Sequence, residues 1–484
     1  MTPCFSRHGI PSVSRGNALP VGLLVLTSIA LLALAVDAKG IPPRRLGPYI
    51  EQRAAGHNPL IENAGRWVAA ILLNLDRGDA GTYALPPPKP APSATEGSGA
   101  YSKRVVEVDS ANAARQALAS ARPGDVINFR PGTYRFDGSY LEASQAGKAG
   151  QEIVVRAEHP DSVFLEFNLS EGFLVTAPYW TFENLTIRGV CKDHSNCEHA
   201  FHVVGQATNF SARNNRISDF NAHFKINGSA GKFPDHGLIE ANVLRNSAPR
   251  QTANPVTFVD LVAASNWTVR NNLIADFIKL EGDRISYGAF AKGGGMENRF
   301  ERNIVVCEDR LRNYPGQRVG LSLGGGGTSK EACRDRRCIT EQQRGVLSTN
   351  LIASCSDDGI YVNRAAESKV KDNTLIDTGP ISVRFAESSA DLEGNLVDSA
   401  IHARDDALVR LFDNRQTRMD QLYMGRHPVR DLFADARTLD LRWKDAPPRR
   451  ESTADPIELC ASGRKAKAAY GAFDDYAKCQ SADH

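Results

Sequence analysis

Through the middle of the chain, short apolar runs keep arriving behind an asparagine: ENLTI, NNRIS, ANVL, NNLIA, RNIVV, TNLIA, DNTLI and GNLVD. The asparagines stand at 184, 215, 242, 272, 303, 350, 373 and 395, at intervals of 31, 27, 30, 31, 47, 23 and 22 residues. A further apolar residue lies three places ahead of most of them, at Ile239, Val269, Phe300, Leu347, Val370 and Leu392. The smallest unit is therefore about 22 residues, too short to bury its own apolar side, so it must stack on its neighbours. Leucine-rich repeats share that length, but they need several leucines and usually a helix in every unit, and these units have neither. The pattern predicts an all-β fold, a single-stranded right-handed parallel β-helix. Each coil gives short strands to long parallel sheets, and the asparagines stack at one turn as an amide ladder. Longer intervals then carry loop insertions, the longest spanning 304 to 349, and long loops are more often functional than ornamental.

Ahead of the repeat, SANAARQALASARPGDVINFRPGTYRF reads as a short helix after Asp109 and Ser110, stopped by Pro123 and Gly124, followed by the strand VINF and a Pro-Gly turn. An N-terminal capping helix of this kind closes the open end of a solenoid, which would otherwise be a bare sheet edge. Further upstream, NPLIENAGRWVAAILLNLDR suits one amphipathic helix, and LPPPKPAPSATEGSG reads as a Pro-rich spacer. Residues 19 to 36 form an apolar run behind Arg7 and Arg15, with small residues at 36 to 38. That is the pattern of a cleaved signal peptide, or of a signal anchor if it stays attached. The layout is thus a signal peptide or anchor over 1–38, a short helix and linker over 39–100, the β-helix over 101–440, and a disulfide-linked tail over 441–484.

Composition changes this picture little. In 484 residues, 42% are apolar and 24% charged, with 40 glycines, which suits a turn-rich β protein. A formal net charge of +2 gives no global attraction to nucleic acid, so electrostatic recognition must be local. Eight of the nine cysteines lie beyond the signal: Cys191, Cys197, Cys307, Cys333, Cys338, Cys355, Cys460 and Cys479. An even number in an exported chain predicts four bridges, 191 to 197, 307 to 355, 333 to 338 and 460 to 479. Zinc binding is the rival, but no pair has the tight spacing of a zinc site. The expectation is a monomer, periplasmic or secreted, touching a membrane only through its N-terminal segment.

The candidate chemistry centres on GAFAKGGGMENRFERN, where Lys292 ends an apolar run and three glycines follow. Lys292 lies 11 residues before Asn303 and Arg384 lies 11 before Asn395, while Arg364 and Arg404 fall within a residue or two of the same place in their coils. Equivalent positions on successive coils are about 4.8 Å apart, so Lys292, Arg364 and Arg384 are expected to form one positive column for an anionic chain. Gly324 and Gly325 would leave the adjoining surface bare for a polymer to approach.

The capping helix, the GDVINFRPGTY strand, the EIVVRAEHP that follows, the asparagine repeat and the lysine on a mid-helix coil together resemble the chondroitinase B and alginate lyase family of β-helical polysaccharide lyases, over roughly residues 105 to 400. The resemblance implies β-elimination on a uronic-acid-containing polysaccharide, with Lys292 as the base. It also implies a calcium ion, for which Glu281 and Asp283 are the nearest acidic residues. The family's assisting arginine sits in an L-T-L-R-H-G stretch, and the matching segment here, Leu321 to Gly325, has Gly324 in its place. Tyr361 and Tyr287 are candidate proton donors to the leaving oxygen, with Arg384, Arg364 and Arg404 assisting or binding.

Three alternatives stay open. A C5-epimerase needs the same proton abstraction, with His236 or His402 as a partner. A non-catalytic polysaccharide-binding β-helix acting in export accounts for the missing arginine. A β-helical glycoside hydrolase would use Asp357 and Asp358 as paired carboxylates.

Overall fold

The computed structural model describes residues 40–78, 81–94, 104–450, 458–459 and 468–480. Three long parallel sheets of 12, 10 and 11 strands run along the molecule. Sheet 1 runs from Val105–Val108 to Leu408–Phe412, sheet 2 from Leu141–Ala143 to Ile401–Arg404, and sheet 3 from Gly132–Phe136 to Arg415–Gln416. Successive coils add a strand to each sheet, and the chain is a parallel β-helix. In chain order the strands of sheet 2 are β1 Leu141–Ala143, β2 Glu171–Val175, β3 His199–Val204, β4 Ala222–Asn227, β5 Val256–Val262, β6 Ile285–Lys292, β7 Gln317–Leu323, β8 Asp358–Asn363, β9 Gly379–Arg384 and β10 Ile401–Arg404.

The asparagines do stack at one turn, between sheet 1 and sheet 3. Each amide donates to the oxygen of the next, from Asn215 through 242, 272, 303, 350, 373 and 395 to Asn414, at 2.8 to 3.0 Å. Asn184 is not a rung. It takes a left-handed backbone (φ 62°) like Asn214 (φ 58°), one residue earlier in the turn, and Leu185 holds the ladder position. The apolar residues three places ahead of the rungs, Ile239, Val269, Phe300, Leu347, Val370 and Leu392, all face the main core. In the N-terminal coils that core is a stack of rings, with Phe173 on Phe201 at 5.1 Å and Phe201 on Phe224 at 5.2 Å, a spacing set by the coil repeat.

Helix Ala111–Ala119 caps the first coil as expected, with the Ser110 hydroxyl accepting from the Ala113 amide and Ala114, Ala117 and Leu118 buried. The parallel strands end at Gln416 rather than near 440. The reason lies in sheet 3, whose short strands are apolar on both faces: Ile274 points into the main core while Leu273 and Ala275 point outward. That outer face needs a cover, and Val429, Phe433, Leu439, Leu441, Phe473 and Tyr476 of the C-terminal segment supply it, together with Tyr83.

The N-terminal segment differs from expectation in two ways. It forms two helices, α1 Pro43–Ala54 and α2 Pro59–Asp76, the second capped by Asn58, in place of one. The Pro-rich stretch does not behave as a free spacer, since Ala91 hydrogen-bonds Asn214 in both directions and Ser93 bonds Glu183 at 2.6 Å. Arginines clamp the helices to the coils. Fully buried Arg44 bonds Asp76 at 2.6 Å, Asp377 at 3.0 Å and the Cys355 carbonyl at 2.8 Å. Burial alone would raise the Asp377 carboxyl, but Arg77, Arg44 and Arg430 outweigh it and hold it below its ordinary value.

Bridges 191–197, 307–355 and 333–338 are formed as expected. The fourth involves Cys460, which lies outside the described residues, as do the signal or anchor segment and residues 481–484. No helix among the described residues is long and apolar enough to cross a membrane.

Candidate functional site

The three outer faces differ in chemistry. Sheet 3 is covered by the C-terminal segment. Sheet 1 carries charges that neutralise one another, such as Glu240 with Arg270 at 2.7 Å and Lys371 with Glu393 at 2.8 Å. On sheet 2 some cations are paired, such as Lys225 with Asp260 at 2.7 Å, but three at the strand ends are not. Lys292, Arg364 and Arg404 form no ion pair with any described residue, and the Nε atoms of Arg364 and Arg404 are buried without a hydrogen-bond partner. All three side chains stay partly exposed.

Strand pairing decides which of these meet. Val262 pairs with Lys292, Ala291 with Leu323, Leu323 with Val362, Asn363 with Arg384, and Arg384 with Arg404. Lys292 and Arg384 therefore share one column, but Gly324 and Asn363 occupy the two coils between them. Three coil steps amount to about 14 Å, beyond the screening length of about 8 Å at physiological salt. Arg364 follows Asn363, one residue past the column, with a left-handed backbone (φ 51°). The expected single column is thus two groups, Lys292 on β6 and the arginines around β8 to β10.

The arginine group is built around two aromatic rings. Arg384 and Arg364 lie over the Phe385 ring at 4.5 and 5.1 Å. Arg384 also pairs with Asp405 and hydrogen-bonds the Tyr361 hydroxyl. Burial raises the Tyr361 phenol above its ordinary value, with the Arg384 bond opposing it.

Lys292 rests on the Phe290 ring, its Nζ 4.5 Å from the centroid. Phe290 belongs to a small outer-face cluster with Val262, Tyr287 and Phe233. Tyr287 packs edge-on to Phe290 at 5.4 Å. Across the coil, a methyl group on Gly325 would lie 3.1 Å from the Lys292 Cδ, so this glycine sets how far the lysine leans toward the arginines. Gly324 is required for a different reason: at φ 73°, a Cβ there would sit 1.8 Å from the Asn363 carbonyl oxygen.

The glycines after Lys292 let the long insertion dock. Gly293 and Gly294 are left-handed, and their amides bond Glu341 at 3.0 and 2.8 Å. The 333–338 loop then folds back over earlier coils, where Arg334 grips Asp235 through two bonds of 2.7 Å and stacks on Phe233 at 4.4 Å. The insertion is a wall beside Lys292.

Several expected residues lie elsewhere. Glu281 and Asp283 precede the first residue of β6, while Lys292 ends it, which puts them about 20 Å apart along the strand. Asp283 is bound to Lys279 at 2.7 Å. The pair does not fit a calcium site beside Lys292. Asp358 opens β8 and Asp357 directly precedes it, but both are held by Arg45 of α1, with Arg45 to Asp358 at 2.6 Å. Burial lifts the Asp358 carboxyl to about 6, Arg45 opposing and Asp357 reinforcing. With an arginine of the same chain lodged on them, these carboxylates do not present the open pair a hydrolase needs. His236 is an exposed turn residue (φ 65°), and His402 continues the column of Tyr361 and Ser382 on β10.

A second polar cluster on sheet 2 escaped sequence reasoning. Glu171, His199 and His202 place ligand-type atoms within 4.8 Å of one another, and they are the one such group of three among the described residues. Next to them Lys225 is held by Asp260 at 2.7 Å. Strict alternation would send residues 199 and 202 to opposite faces. Both point outward because Ala200 and Phe201 both point in. The same inward pair recurs as His223 and Phe224, then Phe258 and Val259. Aligning these strands on that double-apolar step is the signal that would have found the cluster.

No protein-family model matches this sequence. The solved structure of pectate lyase Pel9A superposes with a TM-score of 0.53 at 15% identity, covering 78% of this chain and 98% of that one. The chain shares its fold with that lyase. An alginate lyase from Paenibacillus sp. str. FPU-7 aligns over 65% of this chain and 99% of that one at 15% identity, with a TM-score of 0.38. In sequence, pectate lyase L of Dickeya chrysanthemi is 31% identical over 84 residues, 15% of this chain. The chain covers only 20% of that relative's length.

Proposed function

We propose that the outer face of sheet 2 binds an anionic polysaccharide and that the chain is a lyase-like protein cleaving a uronic-acid-containing polymer by β-elimination. The observation that carries this reading is the unpaired positive charge of Lys292, Arg364 and Arg404 on a chain that pairs its cations widely elsewhere. The fold shared with a pectate lyase and the short sequence match to a second one support it. The three disulfides suit export to an oxidising compartment, where such polymers are met.

In this reading Lys292 Nζ takes the C5 proton of a uronate, the C5–H electron pair becomes the C4–C5 double bond, and the C4–O bond breaks. Tyr361 sits two coils from the Lys292 strand, so the departing oxygen takes its proton from solvent. Arg364, Arg384 and Arg404 hold carboxylates of sugars farther along the chain as charge-assisted hydrogen bonds. Gly324, in the position of the arginine expected from the resemblance, leaves Lys292 without a basic neighbour on the next coil.

That last feature favours a second reading, a β-helix that binds the polymer without cutting it. One experiment separates them: incubate the protein with alginate, pectate, chondroitin and glucuronan and follow the ultraviolet absorbance of unsaturated sugar ends. Absorbance growing on one polymer establishes elimination. Binding to one polymer that weakens with salt and in Arg404→Ala, with no unsaturated ends, establishes the binder. Absence of binding to every polymer refutes both.

A further inference from the structure

We propose that Glu171, His199 and His202 form a binding site for a divalent transition-metal ion, separate from the Lys292 and arginine groups and independent of the polysaccharide reading. His199 on β3 pairs directly with Glu171 on β2, and His202 lies three residues along β3 on the same outward face.

The hydrogen bonds around His202 carry the argument. Asn227 donates its Nδ2 to the Gly228 carbonyl at 3.0 Å, which turns its Oδ1 toward His202 Nε2 at 2.8 Å. An amide oxygen only accepts, so Nε2 carries the proton. His202 Nδ1 then aims a lone pair at Glu171 Oε1, 2.7 Å away. Two acceptors at that distance need something positive between them. His199 Nδ1 lies 3.8 Å from the same oxygen and is buried without a hydrogen-bond partner.

One ion answers all three demands. Ligands about 2.0–2.1 Å from a tetrahedral Zn2+ stand about 3.3–3.4 Å apart, and the observed 2.7 and 3.8 Å bracket that separation. The bond from His202 Nε2 to Asn227 is the outer hydrogen bond that metal-bound histidines generally make, fixing tautomer and ring orientation. Two imidazoles and one carboxylate suit zinc or another first-row ion rather than calcium, which takes oxygen ligands. Each of the three side chains is about one-fifth exposed, so a fourth position opens to solvent. The rival occupant is a second proton on His202.

The test uses the full chain, stripped with chelator and titrated with Zn2+ by calorimetry. The expected result is one Zn2+ per chain, undisturbed by equimolar Ca2+, with affinity falling by about 100-fold or more in His199→Ala and Glu171→Gln and by about 10–100-fold in Asn227→Ala. Melting temperatures in metal-free buffer establish that the variants fold. Should they fold poorly, Co2+ added to the wild-type chain must give visible absorption from a nitrogen-ligated ion that Zn2+ abolishes. No Zn2+ uptake by the wild type, equal uptake by His199→Ala, or a colourless Co2+ mixture overturns the site in favour of the doubly protonated histidine.

Discussion

Replacing Asn303 with alanine tests how the ladder holds the coils together. Asn303 is fully buried in mid-ladder. Its Oδ1 accepts from the Asn272 amide at 3.1 Å and side chain at 3.0 Å, and its Nδ2 donates to Val269 at 2.9 Å and Asn350 at 3.0 Å. Alanine removes all four bonds and strands the Asn272 backbone N–H inside the protein. At about 1–3 kcal/mol for each buried group left unpaired, the loss is about 2–4 kcal/mol. Asn215 gives the internal control. Its Oδ1 accepts only from the Leu185 amide, because a leucine already occupies the previous rung. Its Nδ2 still donates to Phe182 and Asn242, so Asn215→Ala removes three bonds, strands the Leu185 N–H, and should cost less than Asn303→Ala by about one hydrogen bond, ~1 kcal/mol. Urea midpoints by circular dichroism measure both, since neighbouring coils unfold as coupled units in such a repeat. A larger loss at 215 than at 303, or a loss at 303 below about 0.5 kcal/mol, would refute the reasoning.

Other expectations follow from the covalent and charged contacts. Cys307 and Cys355 enclose 48 residues of chain, so replacing both with serine should lower stability by about 4 kcal/mol on the loop-entropy estimate; an unchanged urea midpoint would contradict this. Asp377 is held below its ordinary value by three arginines, so it contributes stability above the usual carboxylate range that disappears as pH falls through its depressed value. Melting temperature should drop below about pH 4, and Asp377→Asn should flatten that acid limb while lowering stability at neutral pH. Asp358 works with the opposite sign, its proton stabilising the fold below about 6 and that contribution fading as pH rises through it. Gly325→Ala should displace the Lys292 side chain and reduce turnover without lowering the melting temperature, and unchanged turnover would show that the lysine's lean is irrelevant.

The repeat was legible because its physics is local. A turn that buries one amide per coil leaves an asparagine at each crossing, and the residue three places earlier must face the core. Asn184 misled because the turn has two positions that an asparagine can hold, as Asn214 and Asn215 show, and only the second is a rung. The end of the helix was missed because outward Leu273 and Ala275 read like any strand, while the need for a cover shows only when both faces are seen. The face of the site was half legible. Strand ends such as Lys292 and Arg384 align by their distance from the asparagine, whereas insertions within a coil hid the two coils between them. The double inward step that brings His199 and His202 together contradicts simple alternation, and the Arg45 clamp on Asp357 and Asp358 joins residues more than 300 positions apart. No periodicity reports such a contact.

The most direct test of the central claim is single-turnover cleavage of the polymer selected by the absorbance panel, with wild type and Lys292→Ala side by side. Proton abstraction belongs to the transition state and chain binding to the ground state, so the variant should hold the polymer with nearly unchanged affinity and form almost no unsaturated ends. Cleavage by Lys292→Ala at the wild-type rate would contradict the account.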